Sequence, residues 1–230
     1  MIRENILAIQ QRIREICARS NRDPSLITIV AVSKGRTVAQ IKEARESGII
    51  DIGESKVQEA HIKYNAIRTT EYASRIKWHM VGHLQTNKVK DAVKIFDLIQ
   101  SIDSLHLAQE INAQAFTIGK VQDILIEVHT SGEITKFGVK PAATVDLVKK
   151  IISLRNIRVQ GLMTIAPVLD NAEKARPYFK KMRELLENIN SLHITHNTLH
   201  TLSMGMTDDF EVAIEEGATM VRLGRAEFER

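Results

Sequence analysis

Ile6, Ile9, Ile13 and Ile16 stand three or four residues apart near the start of the chain, which is the spacing of one apolar helix stripe. Pro24 interrupts that pattern in NRDPS, and six apolar or β-branched residues from Ile27 to Val32 then predict a strand. An alternation follows. Thr37 is placed to cap a helix carrying Val38, Ile41 and Ala44 that ends at Gly48, IIDIG reads as a strand, and Val57, Ala60, Tyr64 and Ile67 mark the next helix. Further strands are read in IKWHMVG, FDLIQ, VQDILIEVHT, NIRVQGLMTI, NTLHTLSMG and ATMVRLG. Between them lie a short helix, TNKVKDAVKI, a helix capped by Ser104, and a helix started by Pro141. A long helix bearing Phe179, Met182, Leu186 and Ile189 comes next, and then one that Thr207 caps and that stops at Gly217.

Eight short apolar strands, each followed by a helix except after the last, imply parallel βαβ units. They predict an α/β fold, a closed (β/α)8 TIM barrel with one additional N-terminal helix, against the alternative of a doubly wound open sheet. No linker or shift in composition divides residues 1–230, so one domain is expected.

Composition changes this picture little. An apolar content of 43% with 26% charged residues is that of an ordinary soluble globule. The single cysteine, Cys17, cannot form an internal disulfide, and it lies on the first helix as a small buried hydrophobe. The start, MIRENILAIQQRIREI, is charged every few residues, unlike a signal peptide, and no apolar run reaches membrane length. A soluble, cytoplasmic protein that does not bind membranes is expected. The net charge of +4 raises the question of nucleic acid, but bases and acids are interspersed, as in KARPYFKKMRELLE, and aromatic residues make up only 4%. A solvated surface explains that pattern, and no nucleic-acid partner is expected.

Barrel chemistry sits at strand C-termini. The first strand delivers Lys34 there, held on a rigid apolar segment and suited to imine formation once desolvation or a nearby cation lowers its pKa. The competing reading is a surface lysine paired with Glu54 or another acid. Late in the chain LSMGMTDD and RLGR bring Ser203, Gly205 and Gly224 to the ends of the last two strands, where such barrels often hold phosphate. The glycines could instead serve only tight turns. A lysine for an imine and a cradle for phosphate together suggest a phosphorylated aldehyde, and pyridoxal 5′-phosphate (PLP) fits both.

AVSKGRT, IGESKVQEA, WHMVGHLQTNK, SGEITKFGV, GLMTIAP and LSMGMTDDFEVAIEEGATMVRLGRAEF occur in the order seen in the PLP homeostasis proteins, and the chain resembles that family over nearly its whole length. The resemblance implies the barrel of the alanine racemase N-terminal domain. It makes Lys34 the Schiff-base lysine, gives the phosphate to Ser203 with the amides around Met204 and Gly205 and to Gly224 with the amide of Arg225, and points Arg222 at the pyridine nitrogen. Arginine has only donors, so the nitrogen would stay unprotonated, a weaker electron sink. The family's implied role is to bind and supply PLP in vitamin B6 and amino-acid homeostasis without robust catalysis, with PLP-dependent apo-enzymes as candidate recipients; a bare barrel without the racemase's β-domain dimer interface is expected to be a monomer. A low-efficiency amino-acid racemase and a PLP-free Schiff-base aldolase are the alternatives. Against the racemase, the β-rich domain that would supply its tyrosine base is not expected, and Tyr64, Tyr72 and Tyr178 all fall in helices or adjoining loops.

The chain departs from the family pattern where Ser55 and Lys56 replace an asparagine and its neighbour, and where Arg225, Glu227 and Glu229 replace a small hydroxyl residue and IFG. Other residues receive plainer readings. His193, His196 and His200 lack the alignment and further ligands of a metal site, and no metal is expected. His79 and His83 read as structural histidines near the mouth. Glu127 and His129 share a strand face, as an acid/base pair or as partners of each other, while Lys136 lines the mouth and Met163, Met204 and Met206 pack.

Overall fold

The computed structural model describes residues 1–72, 76–131, 137–195 and 197–228. The strands β1 (Thr28–Val32), β2 (Asp51–Glu54), β3 (Lys77–Met80), β4 (Leu98–Ile102), β5 (Gln122–Glu127), β6 (Ile157–Met163), β7 (Thr201–Ser203) and β8 (Met220–Leu223) pair in parallel and in chain order. β8 returns to β1, with Val30 opposite Arg222 and Ala31 opposite Leu223, so the sheet is closed. That closure excludes the doubly wound alternative.

The helices α1 (Ile2–Arg19), α2 (Val38–Glu46), α3 (Val57–Ile67), α4 (Val89–Ile95), α5 (Leu105–Thr117), α6 (Pro141–Ile151), α7 (Arg176–Ser191), α8 (Phe210–Glu215) and α9 (Arg225–Phe228) surround the barrel. Their ends follow local chemistry. Thr37 and Gln40 form a reciprocal capping box at α2, Ser104 accepts from the Leu107 amide at α5, and Pro141 occupies the first turn of α6. The isoleucine stripe of α1 is buried, Cys17 with it, and packs against α8, α9 and α2.

Two expectations about elements are corrected. Thr207 does not cap α8: the helix starts at Phe210, and the Asp209 carboxylate instead accepts from the Met206 amide at 2.6 Å. Nor does helix formation stop at the eighth strand, because Arg225–Phe228 form α9 and bury Phe228 and Glu227.

Alternation along the strands separates two cores. Val30, Val81, Leu98, Leu125, Met163 and Met220 fill the barrel interior, and a much larger apolar cluster lies between barrel and helices. Among the described residues no helix is long and apolar enough to cross a membrane.

Candidate binding site at the strand C-termini

β1 carries Val30 and Val32 toward the interior and ends in a turn whose next residue of the same parity is Lys34. Lys34 is exposed and makes no ion pair among the described residues. Glu54, its proposed surface partner, is otherwise engaged. One Glu54 oxygen accepts from the Ser33 hydroxyl at 2.5 Å and from the Lys63 ammonium at 2.6 Å, both buried. The surface-pair reading is therefore replaced by a free amine on an anchored turn.

On the adjacent strand β8, Arg222 is buried, at 4% exposure, yet forms no ion pair among the described residues. Its guanidinium donates to the Ser203 hydroxyl and to the Thr164 carbonyl, both at 2.7 Å. Desolvation lowers its pKa to about 10, with Glu127 and Asp209 acting the other way, so it remains a cation at neutral pH. Ser203 in turn donates to the Gln100 carbonyl oxygen at 2.6 Å, Gln100 meets His79 at 3.0 Å, and His79 meets Asp51 at 2.9 Å. A polar chain thus crosses the barrel from β2 to β8 and ends on Arg222.

The turns after β7 and β8 lie side by side, since the Arg225 guanidinium pairs with Asp208 and the Arg222 amide donates to the Gly205 carbonyl. Gly205 has φ +90°, and a Cβ there would come within 2.6 Å of the Ala213 side chain, so only glycine fits. A Cβ at Gly224 would stand 3.2 Å from the Val32 carbonyl oxygen, which puts this turn against the end of β1. The Met204 amide is spent on the Met220 carbonyl, and the Ser203 hydroxyl on Gln100 and Arg222. The amides of Thr207, Asp208, Gly224 and Arg225 and the Thr207 hydroxyl have no acceptor among the described residues. Unpaired backbone donors converging from two turns, beside a buried arginine, are the chemistry of an anion cradle. The residues present fit a phosphorylated aldehyde: donors for phosphate, a cationic donor for a ring acceptor, and an amine at the end of the neighbouring strand.

Other mouth residues take different places. His83 stacks on Phe137 with ring centroids 3.6 Å apart and stands 3.5 Å from Asp103. It borders a groove of about 640 Å³, lined also by Ser55, Lys56 and Lys88, and a second of about 500 Å³ toward Asn87 and Ser104. Burial pushes the Glu127 carboxyl up to about 7, Asp103 adding to the shift and Arg222 opposing it. Glu127 and His129 do not bond each other, and the His129 Nε2 has no partner among the described residues. Met163 and Met204 are fully buried. Lys136, His196 and Glu229 lie outside the described residues.

Sequence reading passed over Gln100, Asp51, Thr164 and Lys63. A signal existed for two of them: Gln100 is a polar residue inside the apolar run FDLIQ, and Lys63 sits three residues past Ala60, on the buried side of its helix.

Comparison with known proteins agrees with this geometry. The family described as alanine racemase, N-terminal domain, matches residues 5–228. The pyridoxal phosphate homeostasis protein of Aquifex aeolicus is 42% identical over 221 residues, covering 96% of this chain and 94% of that protein. The protein of the same name from Escherichia coli K12 is 33% identical, covering 99% and 95%. Among solved structures, PipY of Synechococcus elongatus with PLP bound superimposes with a TM-score of 0.84 at 30% identity, covering 99% of this chain and all of PipY. An alanine racemase from Clostridium difficile, at 15% identity and a TM-score of 0.74, shares the fold over 56% of its length.

Proposed function

The chain belongs to the alanine racemase N-terminal domain family, among the pyridoxal phosphate homeostasis proteins, and from that premise we propose that it binds PLP at the open end of its barrel and serves intracellular vitamin B6 and amino-acid homeostasis as a carrier or regulator. The observation that carries the reading is the convergence of the unpaired turn amides and buried Arg222 on the side of the barrel that meets the end of β1.

When bound, PLP supplies an aldehyde carbon open to attack by an amine and a pyridine ring that can draw electrons toward its nitrogen. Lys34 supplies the amine and holds the cofactor covalently. The amides of Thr207, Asp208, Gly224 and Arg225, with the Thr207 hydroxyl, hold the phosphate, and Gly205 gives the first turn its shape. Ser203 and the Met204 amide serve from behind, one orienting Arg222 and the other joining the turn to β8. Arg222 donates to the ring nitrogen. A guanidinium cannot accept a proton, so it favours the unprotonated ring and weakens it as an electron sink.

That choice argues against strong carbanion chemistry and for a binding role. The tyrosines support it: Tyr64 packs edge-on against Trp78, Tyr72 bonds Glu46 away from the mouth, and Tyr178 lies on α7, so none offers a second base beside Lys34. We further propose a cytoplasmic monomer whose recipients are PLP-dependent apo-enzymes. The buried lone thiol of Cys17 is in keeping with a reducing compartment.

The test is the near-ultraviolet and visible spectrum of purified protein with added PLP, before and after borohydride, beside Lys34→Ala. An imine band in wild type that borohydride erases, with the reduced cofactor recovered on the Lys34 peptide and no band in the variant, is the expected result. No band in wild type overturns the reading.

A further inference from the structure

Lys34 is exposed, yet the residues on either side of it are both hydrogen-bonded to β2 or α3. Ser33 is fully buried, its amide donates to the Gly53 carbonyl at 2.9 Å and its hydroxyl to Glu54 at 2.5 Å, and its carbonyl accepts from the Lys63 ammonium at 2.5 Å. The Gly35 amide donates to a Glu59 oxygen at 2.6 Å. Lys63 closes the arrangement. Its ammonium, on a side chain 7% exposed, reaches that same Glu59 oxygen at 2.7 Å and the Glu54 oxygen at 2.6 Å.

All three donors of one ammonium are therefore satisfied, by the backbone before Lys34 and by the two carboxylates that grip Ser33 and Gly35. Gly35 lies at φ +69°, so the turn sits in a conformation that only glycine adopts without strain, and it needs holding. A buried charge in such a place is costly unless each bond is made, which ties the position of the turn to the presence of Lys63. The network lies on the outer side of the barrel wall, between β1, β2 and α3, and so acts from behind the site without entering it.

We propose that Lys63, through Glu54 and Glu59, is a positioning residue that fixes the turn bearing Lys34 so that its amine faces a bound aldehyde. The inference rests on the reading of Lys34 as the residue that holds PLP. It predicts a selective effect: loss of Lys63 weakens only binding that needs the amine.

Two ligands separate that from a general defect. PLP carries the aldehyde, whereas pyridoxine 5′-phosphate has the same ring and phosphate but an alcohol in its place. The dissociation constants of both would be measured for full-length wild type, Lys34→Ala, Lys63→Met, and the double variant Glu54→Gln with Lys63→Met. The double variant removes the fully buried carboxylate that would lose its cation, leaves only the partly exposed Glu59 without the ammonium, and keeps an acceptor for Ser33, so it answers the question if the single variant folds poorly. Melting followed by circular dichroism reports folding.

The expected result is PLP binding about 10-fold weaker in the Lys63 variants, in the range seen when outer partners of a liganding group are removed, with pyridoxine 5′-phosphate binding unchanged. An equal loss for both ligands, or no loss for either in folded protein, overturns the proposal. If wild type and Lys34→Ala bind PLP equally well, the assignment of Lys34 fails and the positioning role falls with it. If Lys34→Ala loses PLP selectively but the Lys63 variants do not, only the positioning role falls.

Discussion

Glu227 shows at the scale of one residue what burial does to a charge. Its carboxyl is fully buried on α9, neither oxygen has a hydrogen-bond partner among the described residues, and desolvation pushes its pKa up to about 8. A carboxyl whose folded pKa exceeds its unfolded value, near 4.3, binds more protons folded than unfolded, so stability falls as pH rises between those values. Replacing Glu227 with leucine removes that term. The variant should melt at a temperature close to wild type at pH 5 and several degrees above it at pH 8, with about 2–4 °C gained for each kcal/mol. Equal shifts at both pH values in thermal melts would show that the carboxyl is solvated. Arg222 is the contrasting case, since its buried charge has two acceptors at 2.7 Å and keeps its proton.

The turn from β7 into α8 shows how an element builds a site. Its shape depends on a residue with positive φ packed directly against the helix that follows, and Gly205 meets both requirements. Gly205→Ala adds a methyl 2.9 Å from the Phe210 Cα and must displace the start of α8. The expected cost is about 1–3 kcal/mol by denaturant unfolding, with weaker binding of PLP and of pyridoxine 5′-phosphate alike, because the phosphate cradle moves. Unchanged affinity for both would separate this turn from the cradle. Thr37→Ala, at the capping box of α2, should cost about 1 kcal/mol while leaving both affinities alone.

Across the whole molecule the chain Asp51, His79, Gln100, Ser203 and Arg222 links five strands through the barrel interior. Valine, leucine and methionine side chains fill the space around it, so each polar member depends on its neighbours for satisfaction. Gln100→Leu strands a hydroxyl and an imidazole nitrogen at once. A loss of about 2–4 kcal/mol in chemical denaturation is expected, together with weaker PLP binding as Arg222 loses its orientation. A stability loss with unchanged affinity would confine the chain to a structural role.

The alternation of short apolar strands with amphipathic helices determined the parallel βα units, because periodicity and capping are local properties, while the pairing of β8 with β1 that closes the barrel and excludes the open sheet was decided by the tertiary structure. Thr37, Ser104 and Pro141 act where sequence alone places them, since a cap needs only its own first turn. Thr207 does not, because the Asp209 and Phe210 amides that its hydroxyl would accept from are already bonded to the Met206 carbonyl. The order of strand ends likewise put Lys34, Ser203, Gly205, Arg222 and Gly224 on one rim without reference to coordinates. Only the tertiary structure decided how their bonds are shared: that Ser203 faces Arg222 and Gln100, that the unpaired amides after β7 are those of Thr207 and Asp208 rather than Met204, and that Lys63 reaches behind Lys34. Those partners are 19 to 103 residues apart in the chain, and bonds over such separations have no periodic signature. They exist because barrel closure desolvates polar groups together, and each must then find an acceptor or donor among whatever the fold brings near.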